Sequence, residues 1–243
     1  NAVMGRANKM LASRVQAIAG GFLPDGHGVH AAKTVVTGNP VRPDVIAASE
    51  KAYAASGEND PFNLVVFGGS QGAQFFSSAI PSAICLLEDQ YRKRLKITQQ
   101  ARTEDQDAVN KSYEKLGLAA EVSPFFNDMA GRLSQAHIVI GRSGASTVCE
   151  LAVAGKPSIL IPLKIAMDDH QTYNAEVLKD AKAAIVIRED DVTAEVLSAQ
   201  IREMIEAPEL LPIRAAAARS VARPDAAKDL ADLVERTVNK VKG

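Results

Sequence analysis

The sequence predicts an α/β fold, a parallel sheet with helices on both faces. Three observations predict it. From about residue 60, short apolar or β-branched runs alternate with helix-length amphipathic segments. The runs end in Gly or Pro, which punctuate elements. Several runs, such as Leu64-Val65-Val66-Phe67, are apolar throughout, as strands covered on both sides are.

In chain order, strands are expected at Asn63–Phe67, Leu95–Thr98, Ala120–Ser123, His137–Ile140, Ser158–Ile161 and Ala184–Ile187. Helices are expected near 72–90, 104–117, 127–135, 147–154 and 171–181. The ends read differently. Residues 4–14 look like one helix, and a Gly-rich stretch follows at 20–28. Thr34-Val35-Val36-Thr37 is a short strand candidate that Gly38-Asn39-Pro40 breaks, and Pro40 and Pro43 bracket a linker-like turn. The alanine run 215–218 reads as helix. Pro224 starts a last helix, with Ala227, Leu230, Val234, Val238 and Val241 on one face; that stripe needs a surface to pack on.

Composition excludes several classes. Of 243 residues, 47% are hydrophobic and 23% charged, which fits a globular protein with a substantial core. Basic and acidic residues number 28 and 29, so bulk charge does not attract nucleic acid. Aromatics are 5% and Trp is absent, which argues against base-stacking platforms. No apolar run approaches the ~18 residues of a membrane helix. Cys85 and Cys149 suggest no disulfide framework, and a reducing, cytoplasmic compartment is the simple reading. Neither cysteine has a metal-ligand partner at useful spacing, and His27 and His30, in a Gly-rich stretch, do not read as a metal site, so no metal or cofactor is expected. The chain begins at Asn1, its first Met is Met4, and it has no signal-peptide pattern; a processed chain or a piece of a longer one is expected.

Four segments can carry chemistry. Phe67-Gly68-Gly69-Ser70-Gln71-Gly72-Ala73 follows a strand and opens a helix. Glycines admit a ligand close to the backbone, and free N–H groups at a helix start attract phosphate. The alternative is a tight turn with Ser70 as N-cap. Gly141-Arg142-Ser143-Gly144-Ala145-Ser146-Thr147-Val148-Cys149-Glu150 also joins a strand to a helix. Glu150 could accept both hydroxyls of a ribose, or Thr147-x-x-Glu150 could be a capping box. In the run from Pro162 to Asn174, Gln171 and Asn174 are amides suited to sugar hydroxyls, and His170 could carry a proton. Asp168 or Asp169 could equally cap the next helix. Arg42, in Thr37-Gly38-Asn39-Pro40-Val41-Arg42, could clamp a phosphate or stay solvated. Three of these loops follow strands of one sheet and so emerge at its carboxyl edge, where open α/β sheets bind ligands. Together they suggest a nucleotide-sugar site with no credible catalytic base.

Taken in order, Thr37 to Arg42, Gly68 to Ala73, Arg142 to Ala145, Asp168-Asp169-His170-Gln171 with Asn174-Ala175, Pro124 to Met129 and Pro224 to Ala227 resemble the MurG family, within glycosyltransferase family 28. The likeness covers nearly the whole chain. It implies a GT-B architecture and the C-terminal, Rossmann-like half of it. On that basis residues 1–40 belong to an N-terminal acceptor domain and its linker, 41–224 form the UDP-GlcNAc-binding domain, and 225–243 are a helix crossing back. The implied activity is transfer of GlcNAc from UDP-GlcNAc to lipid I, giving lipid II for peptidoglycan, at the cytoplasmic face of the inner membrane. Position by position, Asn1 is a donor contact, and Arg42, Ser70, Gln71 and Gly72 lie on the phosphate side. Phe126 offers a backbone group to uracil, Ala145, Ser146, Thr147, Val148, Cys149 and Glu150 hold the nucleotide, and Gln171 reads the sugar. No metal, cofactor or nucleic acid is implied. Gln99-Gln100-Ala101-Arg102 departs from the family's common His-Gln-Thr-Gly, and Ser77 stands where Asn is frequent. Two other activities fit the fold class, a UDP-sugar transferase acting on diacylglycerol and a UDP-GlcNAc 2-epimerase-like isomerase. The isomerase would need acid–base groups, for which only His170 with Asp168 or Asp169 is on offer.

Overall fold

The computed structural model describes residues 2–22, 30–164 and 169–242, with the backbone alone at 69–73 and 240–242. Among the described residues there are two parallel sheets. The small one pairs β1 (Ile18–Gly20) with β2 (Thr34–Val36), and α1 (Arg6–Leu11) precedes it. The large sheet follows α2 (Pro43–Ala48). It contains β3 (Phe62–Phe67), β4 (Leu95–Gln100), β5 (Ala120–Ser123), β6 (Ile138–Gly141), β7 (Ser158–Leu160) and β8 (Ala184–Val186), in the order β5-β4-β3-β6-β7-β8. All neighbours are parallel. This is the doubly wound order, and its direction reverses between β3 and β6.

The period-two side-chain alternation of the strands divides the core. Leu64, Val66, Ile138, Ile140, Ile159 and Ile161 face one side. There they meet Phe76, Ile80 and Ile84 of α3 (Gly69–Cys85), Val109 and Tyr113 of α5 (Gln106–Lys115), and Leu197, Ile201, Met204 and Ile205 of α9 (Ala194–Glu206). The short α4 (Asp89–Arg92) joins α3 to β4. Val65, Phe67, Val139 and Leu160 face the other side. They pack on Leu133 of α6 (Met129–Gln135), Val148 and Leu151 of α7 (Ala145–Ala154), Ala175 and Leu178 of α8 (His170–Asp180), and Ala218 of α10 (Leu210–Ser220). Full burial of each such aliphatic side chain contributes about 1.5–3 kcal/mol.

All six expected strands are present, within a residue or two of their predicted bounds. Three readings are corrected. Pro43 does not bracket a linker turn; it occupies the first position of α2, where its missing N–H costs nothing. The 72–90 segment is two helices, because the chain leaves helical bonding at Leu86–Glu88. The helix expected at 4–14 contracts to Arg6–Leu11. α11 (Ala226–Lys242) forms as expected, but Val234 and Val238 of its stripe are exposed; Val241 lies among the side chains not described. α9 has no counterpart in the sequence reading, although Thr193 caps it by accepting the Val196 N–H and its apolar residues recur at helical spacing. Among the described residues no helix is long and apolar enough to cross a membrane.

Candidate functional site

The two central strands set the site. Phe67 at the end of β3 pairs with Gly141 at the end of β6. A Cβ at residue 141 would lie 2.8 Å from the Phe67 carbonyl oxygen, so glycine is required there. From these adjacent ends the chain enters α3 and α7, whose first turns open side by side at the carboxyl edge. The first N–H groups of any α-helix lack an intrahelical acceptor, and they carry the positive end of its dipole.

Both helices start earlier than the motif readings supposed. Gly68 is the N-cap of α3, so Ser70 is not the cap and the Gly69–Gly72 segment is its first turn. The side chains of Ser70 and Gln71 lie outside the described ones. Gly144 is the N-cap of α7, which puts Thr147 inside the first turn and removes the capping box. Ala145, Ser146 and Thr147 therefore carry the open N–H groups, whereas the Val148 N–H already bonds the Gly144 carbonyl. The Val148 and Cys149 side chains are buried in the core, so these two residues have only backbone to offer a ligand. Burial pushes the Cys149 thiol up to about 11.

Glu150, one turn further, is bonded across the fold. Its Oε1 accepts from Arg42 Nε at 2.8 Å and its Oε2 from Arg42 Nη2 at 3.1 Å. The residues are 108 apart in sequence. Arg42 is thus held in an ion pair with Glu150 and does not stay solvated alone.

Gln171, in the first turn of α8, ties two loops together. Its Oε1 accepts the Leu163 N–H at 3.0 Å and the Ser143 N–H at 3.3 Å, and Ser143 Oγ donates to its main-chain carbonyl at 2.7 Å. Two backbone donors fix which end of the amide is oxygen, so Nε2 is the end left for other contacts. Asn174 is fully buried: it accepts the Ala2 N–H at 2.7 Å and donates to the Ser143 carbonyl at 3.1 Å. Its reading as a sugar-facing amide is corrected. Asp169 is the N-cap of α8 at a positive φ of 51°, its carboxylate accepting from Thr172 Oγ1 at 2.7 Å; His170 follows as the first helical residue. Asn1, His27 and Asp168 lie outside the described residues.

Two residues at this edge lie in motifs quoted from the sequence but were given no role there. Arg142 is buried beneath the loops, its guanidinium over the Phe75 and Phe76 rings. It donates to the Ile161 carbonyl at 3.1 Å and pairs with Glu189 at 2.5 Å. Burial lowers its pKa against the opposing pull of Glu189. Gln100, at the end of β4, accepts the Gly68 N–H at 3.3 Å and donates to the Pro124 carbonyl at 3.1 Å. It thereby holds the loop after β5 to the start of α3. Phe126 of that loop is buried, with the Arg132 guanidinium 4.3 Å from its ring centre, so only its backbone is open to a ligand. Among the described residues no group of three His, Cys, Asp or Glu side chains could hold a metal ion.

A family model described as the glycosyltransferase family 28 C-terminal domain matches residues 63–232, more than half of the chain. The chain belongs to glycosyltransferase family 28. It is 59% identical over 235 residues to the UDP-N-acetylglucosamine–N-acetylmuramyl-(pentapeptide) pyrophosphoryl-undecaprenol N-acetylglucosamine transferase of Sinorhizobium fredii, covering 97% of this chain and 63% of that protein. The enzyme of the same name from Agrobacterium fabrum is 57% identical over 235 residues, covering 97% and 62%. Among solved structures, MurG of Acinetobacter baumannii superposes with a TM-score of 0.78 at 32% identity, covering 97% of this chain and 65% of that one. This family 28 chain therefore spans a little over three-fifths of the length of these relatives. Its six-stranded parallel sheet is the Rossmann-like C-terminal half of a GT-B fold.

Proposed function

We propose that the chain is the donor-binding part of an inverting N-acetylglucosaminyltransferase that moves GlcNAc from UDP-GlcNAc to lipid I, forming lipid II. The observation that carries this reading is the convergence at the β3/β6 reversal of two helix starts and a fixed carboxylate. The names of the family 28 relatives support it. Residues 41–224 are then the donor domain, 1–40 the tail of an acceptor domain, and 225–243 a helix that packs on that domain. The exposed Val234 and Val238 suit such packing.

In this reading Glu150 accepts the ribose hydroxyls and the Phe126 backbone meets the base. Asn1, Ser70, Gln71 and Gly72 join the N–H groups of Ala145, Ser146 and Thr147 around the diphosphate. Charge grows on the departing UDP as the glycosidic bond breaks. The dipoles of α3 and α7, already oriented, offset it without reorganising. Gln171 Nε2 donates to the sugar. Neither metal nor nucleic acid enters this scheme. A lipid-borne acceptor places the work at the inner face of the cytoplasmic membrane, as a peripheral protein. The exposed Arg6, Lys9, Met10 and Leu11 of α1 suit that setting.

The test is calorimetry with UDP and UDP-GlcNAc. Both are expected to bind, and Glu150→Ala to abolish most of the affinity while melting near the parent temperature. Folded protein that takes up neither would refute the reading. Radiolabelled GlcNAc transfer to a lipid I analogue, by the chain extended to its relatives' length, checks the reaction itself.

A further inference from the structure

We infer that Arg42 is a positioning residue for the Glu150 carboxylate and acts through it on the nucleoside. The inference rests on the nucleotide reading and assigns Arg42 a different task within it.

The geometry is a fork on a carboxylate. Arg42 uses Nε and Nη2 at 2.8 and 3.1 Å on the two oxygens of Glu150. Such bidentate contact fixes the carboxylate plane as well as its place. Each carboxylate oxygen has two acceptor sites, and Arg42 takes one on each. One site per oxygen remains, the number needed by the two hydroxyls of a vicinal diol.

Both partners stand on packed elements. Pro43 confines the preceding residue to extended backbone, and Arg42 lies at φ −59°, ψ 136°. Val41 and Val45 then pack with Cys149 and Val153 of α7, so α2 is pinned to the helix that carries Glu150. The side chain of Glu150 is 13% exposed and that of Arg42 is 47% exposed. An ion pair with so open a partner adds little to stability. Its value lies in a preset acceptor pair. The fork uses two of the five guanidinium N–H donors, so the aim of the carboxylate does not depend on what the other three meet.

The test compares uridine, which has no phosphate, with UDP. Each is titrated by NMR or calorimetry into the parent protein, Arg42→Met, Arg42→Lys, Glu150→Gln and the Arg42→Met/Glu150→Gln double variant. Arg42→Met is expected to weaken uridine about tenfold, and UDP at least as much. In the Glu150→Gln background it is expected to cost nothing further, because the two residues act as one unit. Arg42→Lys keeps the charge and loses the fork, so it is expected to follow Arg42→Met. Three results overturn the inference: a loss confined to UDP, losses that multiply in the double variant, or uridine and UDP affinities kept by Arg42→Lys. Parent protein that binds neither ligand removes the nucleotide reading itself, and the inference with it.

Discussion

Gln171 offers the sharpest separation of architecture from ligand contact. Its Oε1 serves the N–H groups of Ser143 and Leu163, and Ser143 is fully buried. Truncation in Gln171→Ala leaves the Ser143 N–H without that acceptor, in a place water does not reach. An orphaned buried donor costs about 1–3 kcal/mol, and the half-exposed Leu163 N–H about 0.5–1 kcal/mol. The longer 3.3 Å contact argues for the lower part of the first range. A total of about 2 kcal/mol corresponds to a melting temperature roughly 4–8 °C lower for a chain of this size. Gln171→Glu keeps an oxygen for both donors and discards the NH₂ group. It is expected to melt near the parent temperature. Both variants are expected to lose the affinity margin of UDP-GlcNAc over UDP, because each lacks Nε2. Differential scanning fluorimetry and paired titrations read the two effects separately. If Gln171→Ala melts with the parent, or Gln171→Glu falls as far as alanine, the loop-tying role is wrong.

Other outcomes follow from single contacts. Lys156 is buried, its Nζ bonded to the Ser134 and Ala136 carbonyls at 2.9 and 3.1 Å, and burial lowers its pKa to about 8. Between there and its ordinary value of 10.5 the unfolded chain binds more protons, so this residue makes stability rise with pH in that window. In urea melts from pH 7.5 to 10, that rise is expected in the parent relative to Lys156→Met; a constant difference would refute it. Gly141→Ala must push its Cβ against the Phe67 carbonyl and is expected to cost about 1–3 kcal/mol together with UDP binding. Cys149 is buried with a thiol raised to about 11 and Cys85 is exposed, so a thiol reagent at pH 7.5 is expected to titrate one of them quickly and the other only on unfolding. Gln100→Ala releases Pro124 from Gly68 and is expected to weaken UDP several-fold with little change in melting temperature, measured by calorimetry.

The sheet was legible because its signal is local. Leu64 to Phe67 or Ile138 to Ile140 alternate sides with period two, and no neighbour is needed to see an apolar run end at Gly68 or Gly141. Helix starts were less legible. A cap is a backbone geometry, and Gly68 and Gly144 take it without offering a side chain. The motif readings looked for an oxygen to do the capping and so moved both starts inward, to Ser70 and Thr147. α9 is the opposite case. Thr193 and the spacing of Leu197, Ile201, Met204 and Ile205 announce it in the sequence alone.

The site residues divide along the same line. Gln171 and Glu150 were found because amides and carboxylates beside glycine-rich turns are conspicuous. Their partners were not. Nothing near Asn174 in sequence shows that Ala2 consumes its oxygen, 172 residues away. Nothing near Glu150 shows that Arg42 grips it from 108 residues away. Local pattern left Glu150 two readings, cap or ribose acceptor, and the helix start at Ala145 removes the first. The fork from Arg42 then gives the second a physical basis, because a carboxylate held in a fixed plane is an acceptor pair prepared before the ligand comes. Such preparation requires two elements distant in sequence to be packed together first, and the Val45–Cys149–Val153 contact does that packing.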